Sequence, residues 1–189
     1  SLKLTRPFAT VPLARPHGSD LSSLEEEFKK AMSDDNEGLI AKAPSSPYQP
    51  GRRGQSWRKL KGVMPTLDCI VIAAQQGYGK RAGVLSDYTF AVRDTKSGYL
   101  RTLGKAYSGL TDEEIEELTD HFQKTTIEKI SSRVVKVEPT IVLEIAFDKI
   151  RPSKRHDSGL ALRFPRIKAI RRDKTVDDID TLKTAQRLV

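Results

Sequence analysis

The chain has one cysteine, Cys69, in 189 residues, which excludes an internal disulfide. Cys69 sits in the apolar run Leu67-Asp68-Cys69-Ile70-Val71-Ile72, a setting that suits a small core residue better than a nucleophile. Histidine is nearly as scarce. His17, His121 and His156 are scattered through polar contexts, and no Cys/His spacing suits zinc. Aromatic residues make up only 6% of the chain, which counts against a surface that reads single strands by stacking bases. No apolar stretch approaches the length of a membrane span, and no basic-then-apolar leader opens the sequence. The expected setting is the reducing cytoplasm, without a membrane partner.

Negative charge is also in deficit. The chain carries 33 Lys and Arg against 25 Asp and Glu, a net charge of +8. Such a balance favours a polyanionic partner, nucleic acid first, because each neutralised phosphate releases a condensed counterion. A basic protein with no such partner has the same composition, so charge alone does not decide. The 37% hydrophobic content is enough for one real core, or one core plus part of another.

Along the chain, residues 1 to 20 are rich in Pro, Arg and Ser and show no clean period. From Leu21 the residues Leu21, Leu24, Phe28 and Met32 recur at helical spacing, which predicts a helix ending near Asp34-Asp35-Asn36. Ser22 with Glu25, or Ser23 with Glu26, could form its capping box. Two short strands, Gly38–Lys42 and Ser56–Lys61, flank a loop in which Pro44, Pro47, Pro50, Gly51 and Gly54 forbid regular structure. Further strands are expected at Leu67–Ala74, Val84–Arg93, Tyr99–Leu103, Val134–Val137, Ile141–Phe147 and Leu162–Ile170. A helix from Thr111 to Phe122, with Thr111 and Glu114 as its capping box, interrupts them, and a last helix is expected from Val176 to Leu188. The fold class is therefore mainly β with α. Many short strands with one inserted helix, in roughly 110 residues, fit a Greek-key barrel of the OB type.

Three clusters carry chemistry. Glu37 precedes the apolar strand Gly38-Leu39-Ile40-Ala41-Lys42, and a carboxylate there could hold a divalent cation against phosphate oxygens. It could equally be a plain capping glutamate. In Trp57-Arg58-Lys59-Leu60-Lys61, an extended backbone puts Lys59 and Lys61 on one face, where paired cations suit a reacting phosphate. Arg53 could reach the same nucleotide. A solvated strand edge protected by lysines would look the same. The third cluster, Arg163-Phe164-Pro165-Arg166 through Arg171-Arg172-Asp173-Lys174, interleaves cations with apolar residues like a phosphate grip anchored in a barrel. A generic basic strand remains open for it.

Taken in order, Glu-Gly-x-x-x-Lys, then Trp-x-Lys-x-Lys, then Arg-Phe-Pro-Arg closing in Arg-x-Asp-Lys, these clusters resemble the fourth, fifth and sixth motifs of ATP-dependent DNA ligases. Gly77-Tyr78-Gly79-Lys80-Arg81-Ala82-Gly83 and Gly104-Lys105-Ala106-Tyr107-Ser108-Gly109-Leu110-Thr111-Asp112 are similar to the same family, especially its bacterial and archaeal members. The resemblance runs from about Leu21 to the end. It implies that residues 1–61 are the C-terminal remnant of the adenylation (nucleotidyltransferase) domain and 62–189 an OB-fold domain. It further implies ATP and Mg2+ as cofactors and nicked double-stranded DNA as substrate, sealed through enzyme-AMP and DNA-AMP, at the nucleoid. By position, Glu37 matches the metal-linked carboxylate, and Arg53, Lys59 and Lys61 match the nucleotide and phosphate contacts. Arg171, Asp173 and Lys174 match the element that orients the pyrophosphate of ATP. Lys80 and Arg81 match a DNA-facing loop, and Asp68 a hinge about which the barrel would reorient.

One element of the family pattern is missing. The family's nucleotidyl lysine lies in Lys-x-Asp-Gly, which occurs nowhere in these residues. Without a nucleophile no covalent AMP can form, so the expectation is a fragment whose adenylation segment is supplied in cis or in trans. An RNA ligase or mRNA capping enzyme fragment, and a stand-alone OB module that binds nucleic acid without catalysis, are the rival readings.

Overall fold

In the computed structural model, which describes residues 21–34, 36–51 and 54–189, the chain divides into two compact units, with the division after Val63. The first unit opens with helix α1 (Leu21–Ser33). Its apolar stripe is real but thinly covered: Leu24 and Phe28 are half-buried, Leu21 and Met32 are exposed, and no residue of α1 is buried. Leu21 is already helical, so Ser22 and Ser23 lie inside the helix, one and two residues past Leu21. Strands β1 (Gly38–Lys42) and β2 (Trp57–Lys61) then pair antiparallel, with Gly38 opposite Lys61 and Lys42 opposite Trp57. The proline-rich connection between them holds no helix or strand among its described residues. It is folded against the start of β2, where the Trp57 indole N–H donates to Ser46 Oγ at 2.9 Å and Lys42 Nζ sits 4.3 Å from the indole centroid.

The second unit starts at Met64. Its first strand, β3 (Thr66–Gln76), is buried on both faces, which explains why its sequence is a near-continuous apolar run without alternation. Leu67, Cys69, Val71 and Ala74 enter the main core, while Ile70 joins a second cluster with Ala91, Val142 and Ile179. Strands β4 (Leu85–Arg93) and β5 (Leu100–Ala106) follow as a meander beside it. Helix α2 (Asp112–Lys124) is inserted next, with Thr111 and Glu114 closing the expected capping box. Its stripe of Ile115, Leu118 and Phe122 is buried, and Phe122 packs on Tyr88 with ring centroids 5.7 Å apart.

The chain then runs through β6 (Thr126–Lys129), β7 (Val134–Val137), β8 (Val142–Ala146), β9 (Lys149–Pro152), β10 (Leu160–Arg163) and β11 (Arg166–Ile170). The hydrogen-bonded order is β11-β8-β3-β4-β5, with β7 also on β3 and β6 on β7, and β9–β10 forms a separate hairpin. This mostly β arrangement with an inserted helix is the OB-type barrel. Gly109, between β5 and α2, lies so close to β11 that a Cβ there would overlap the Ile167 carbonyl oxygen, and its φ of +115° also demands glycine.

Three expectations are corrected here. The strand expected over Leu162–Ile170 is two strands, broken at Phe164-Pro165, where Phe164 adopts φ +50° and Pro165 cannot donate to a ladder. The helix expected over Val176–Leu188 shrinks to α3 (Leu182–Gln186). Polar side chains capture the preceding backbone: Asp178 accepts from Thr175 N–H at 2.8 Å, and Asp180 exchanges two hydrogen bonds with the Asp68 backbone. This segment packs on the barrel itself, through Ile179 and Ala185. Finally, Asp68 is not in the connection between the units but inside β3, opposite Glu144 of β8.

Candidate functional site

In the first unit, strand register brings two sequence clusters together. Glu37 stands one residue before β1, and Gly38 pairs with Lys61, so the glutamate reaches the end of β2. Lys59 and Lys61 alternate onto one face. Lys59 Nζ donates to Glu37 Oε2 at 2.6 Å, and Lys61 Nζ lies 3.8 Å from the same oxygen. All three side chains are about half exposed, so the group is open to a ligand. Gly38 makes the approach possible: its φ is +132°, and a Cβ would overlap the Leu60 carbonyl oxygen. Arg53, expected to join this group, lies outside the described residues.

Among the described residues no group of three His, Cys, Asp or Glu side chains gathers to hold a metal. Among the described residues, Glu37 is thus a single carboxylate beside two ammonium groups. Such a donor fits Mg2+ that takes most of its ligands from phosphate oxygens and water, and does not fit a protein-built metal cage.

In the second unit the closing cluster also converges, but on an acidic partner. Residues 171–174 form a turn after β11. Arg171 Nη1 lies 3.1 Å from both Asp68 carboxylate oxygens, and Lys174 Nζ donates to Asp68 Oδ2 at 2.6 Å. The other edge of the Arg171 guanidinium clamps Asp173, at 3.0 and 2.7 Å. That hydrogen bond from Arg171 is the main reason the Asp173 carboxyl is held down at about 2, and the bond to Asp68 raises the Lys174 ammonium above its ordinary range. Arg171, Asp173 and Lys174 are therefore one charged unit, organised by Asp68 on β3, which lies one strand beyond β8 from β11. The expected strand Leu67–Ala74 already contained Asp68, and the resemblance gave it a hinge role, but neither foresaw this partnership. The signal was its position in an otherwise apolar strand, where a carboxylate must find cations.

Lys80 and Arg81 lie in a short 3-10 turn, Gly79–Arg81, at the end of β3. Lys80 is exposed, but Arg81 is occupied: it donates to the Tyr107 carbonyl at 3.0 Å and lies 3.7 Å from Asp112. Its expected DNA role thus competes with tying this loop to the β5–α2 connection. Phe164 belongs to the Arg-Phe-Pro-Arg motif, but the sequence reading gave it no role of its own. It is 66% exposed, strained, and covered on one side by Arg163, whose guanidinium carbon is 4.8 Å from the ring centroid. Strain at an exposed aromatic is a cost that points toward function. Cys69 is buried, and burial pushes its thiol well above the ordinary range, so it is no nucleophile. No helix among the described residues is long and apolar enough to cross a membrane.

Comparison with known proteins matches the chain to one family. Residues 10–61 match the family described as ATP dependent DNA ligase domain, and residues 81–174 match ATP dependent DNA ligase C terminal region. A probable DNA ligase of Opitutus terrae is 51% identical over 98% of this chain, and a DNA ligase of Archaeoglobus fulgidus is 38% identical over 94%. Those alignments span 18% and 32% of the two relatives, so the chain corresponds to a minor part of their length. The solved structure named Pmar-Lig_PreS3 superposes over 79% of this chain and 30% of its own, with a TM-score of 0.61 and 26% identity.

Proposed function

Because the chain belongs to the ATP-dependent DNA ligases, we propose that it serves the sealing of nicks in duplex DNA, contributing phosphate, metal and DNA contacts. In such a reaction AMP moves from ATP to a lysine, then to the 5′-phosphate of the nick, and leaves as the 3′-hydroxyl attacks. The observation that carries this reading is the Glu37–Lys59–Lys61 group. Residues 22 positions apart in sequence are brought to 2.6 Å by one strand pair and a glycine that alone fits.

Catalysis of this kind rests on positioning and on compensating charge at a transferring phosphorus. Lys59 and Lys61 hold the α-phosphate and offset the charge that grows on it in the transition state. Glu37 orients Lys59, and would hold Mg2+ through its carboxylate. Mg2+ bound there would neutralise phosphate oxygens. Arg53 contacts the nucleotide. Arg171 and Lys174 orient the pyrophosphate leaving group, with Asp173 fixing the plane of Arg171. Lys80, Arg81 and the strained Phe164 face DNA. On this reading residues 1–61 end the adenylation domain and 62–189 are the OB-fold domain. The lysine that carries AMP comes from a Lys-x-Asp-Gly segment in cis or in trans, and the work is done in the cytoplasm at the nucleoid.

The test joins this segment to a Lys-x-Asp-Gly segment and follows radiolabelled AMP onto the enzyme. Arg171→Ala and Lys174→Ala are expected to cut enzyme-AMP formation by about 10²-fold or more, the scale for losing a preorganised charge contact. Unchanged labelling would remove these residues from the first step.

A further inference from the structure

Half of the chain's net charge sits on one hairpin. Residues 149–163 contain five Lys and Arg against one Asp, a net +4 out of +8. The hairpin is β9–β10, and its register sorts its side chains cleanly. Leu162 opposite Ile150 and Leu160 opposite Pro152 share one face, and Ile150, Leu160 and Leu162 are buried in the barrel core. Ala161 opposite Arg151 and Arg163 opposite Lys149 therefore share the other, outward face. That face carries Lys149, Arg151 and Arg163 beside the small Ala161, with Arg163 partly neutralised by Asp148 at 3.6 Å.

The connecting loop adds Lys154 and Arg155, and it is built rather than loose. Ser153 N–H donates to the Gly159 carbonyl at 2.8 Å, Arg155 N–H to Ser153 Oγ at 3.1 Å, and Gly159 N–H to the His156 carbonyl at 3.0 Å. The loop's one carboxylate is turned away from these cations. Asp157 accepts from Thr102 N–H at 2.8 Å and lies 3.6 Å from Arg101. Arg151, Lys154 and Arg155 are exposed, and none has a side-chain hydrogen bond or ion pair among the described residues. Three unneutralised cations on a core-anchored hairpin repel one another and cost stability, so a polyanion is what such a surface fits. Between Lys149 and Arg163 there is no Phe, Tyr or Trp on which bases could stack, which favours a phosphate backbone over exposed bases.

We propose that the outer face and loop of the β9–β10 hairpin are a second backbone-binding surface for duplex DNA, in addition to the Lys80 turn, with Arg151, Lys154 and Arg155 contacting phosphates. The proposal rests on the ligase reading. It assigns the hairpin to sequence-independent affinity and to no chemical step.

The test measures binding of the 189-residue chain to a fluorescent nicked duplex by anisotropy across a salt series. The hairpin variant is Arg151→Gln, Lys154→Gln, Arg155→Gln. A charge-matched control is Lys124→Gln, Lys129→Gln, Lys136→Gln, three exposed cations on α2, β6 and β7. The hairpin variant is expected to bind roughly ten- to a hundredfold more weakly at about 0.15 M salt, and to flatten the log–log salt slope by about 2 to 3. The control should change the slope by less than 1. Equal losses in both variants would show diffuse electrostatics and overturn the hairpin. An unchanged hairpin variant, with the parent chain still binding, overturns the hairpin alone and leaves the ligase reading standing. A single strand competing as well as the duplex overturns the duplex assignment. A parent chain that does not bind the duplex at all overturns both readings together.

Discussion

The two units hold their charged groups by different means. In the barrel, Arg171 and Lys174 converge on Asp68 because β3, β8 and β11 are locked in register by a buried core that includes Leu67, Leu143, Ile145 and Ile167. In the first unit, Glu37 meets Lys59 with no buried hydrophobic residue beneath it; the chain's buried hydrophobic residues, among those described, all lie from Leu67 onward. Its geometry comes from one strand pair and one glycine. The contrast teaches that a charged site can be specified by local register alone, while its stability must come from elsewhere.

The widest gap should appear in hydrogen exchange. Amides of Cys69, Val71 and Phe90 are expected to exchange only on global unfolding, and those of β1 and β2 at least about a thousandfold faster. Equal protection in both units would break the comparison. A smaller contrast is expected in equilibrium unfolding followed by circular dichroism. Phe122→Ala should cost about 3–5 kcal/mol, because it empties a fully buried ring site between α2 and Tyr88. Ile40→Ala, at a site 58% exposed on β1, should stay within about 0.5 kcal/mol. Similar losses would mean that β1 has a core of its own. The finest test separates two neighbours in one turn. Arg81→Glu should lower barrel stability by about 1 kcal/mol after allowing for solvent screening, through loss of the Tyr107 contact. Lys80→Glu should leave stability unchanged and weaken DNA binding. If both variants melt like the parent, the Arg81 tie has no structural worth.

Much of this molecule was legible from residue order. The periodicity of Ile115, Leu118 and Phe122 and the Thr111–Glu114 box marked α2 within two residues at its C-terminal end. Lys59 and Lys61 could be put on one face because strand alternation is rigid. What could not be read was pairing across distance. Nothing local to Asp68 says that Arg171 and Lys174, over 100 positions away, will be its partners, so its strand was legible and its pairing was not. The C-terminal helix was over-extended for a related reason. Ile179 and Leu182 have helical spacing, but Asp178 and Asp180 spend their carboxylates on backbone N–H groups and hold the segment in turns. Arg151, Lys154 and Arg155 went unremarked because β9 was not foreseen as a strand, and without its register Arg151 has no face to share with Arg163.

The central claim is that the Glu37–Lys59–Lys61 group handles the reacting phosphate. The most direct measurement is the single-turnover rate of enzyme-AMP formation for Lys59→Ala and Lys61→Ala, in the segment joined to its Lys-x-Asp-Gly partner. Losses of about 10² to 10³ in rate are expected. Rates within about twofold of the parent for both variants would contradict the account, leaving two lysines on a solvated strand edge.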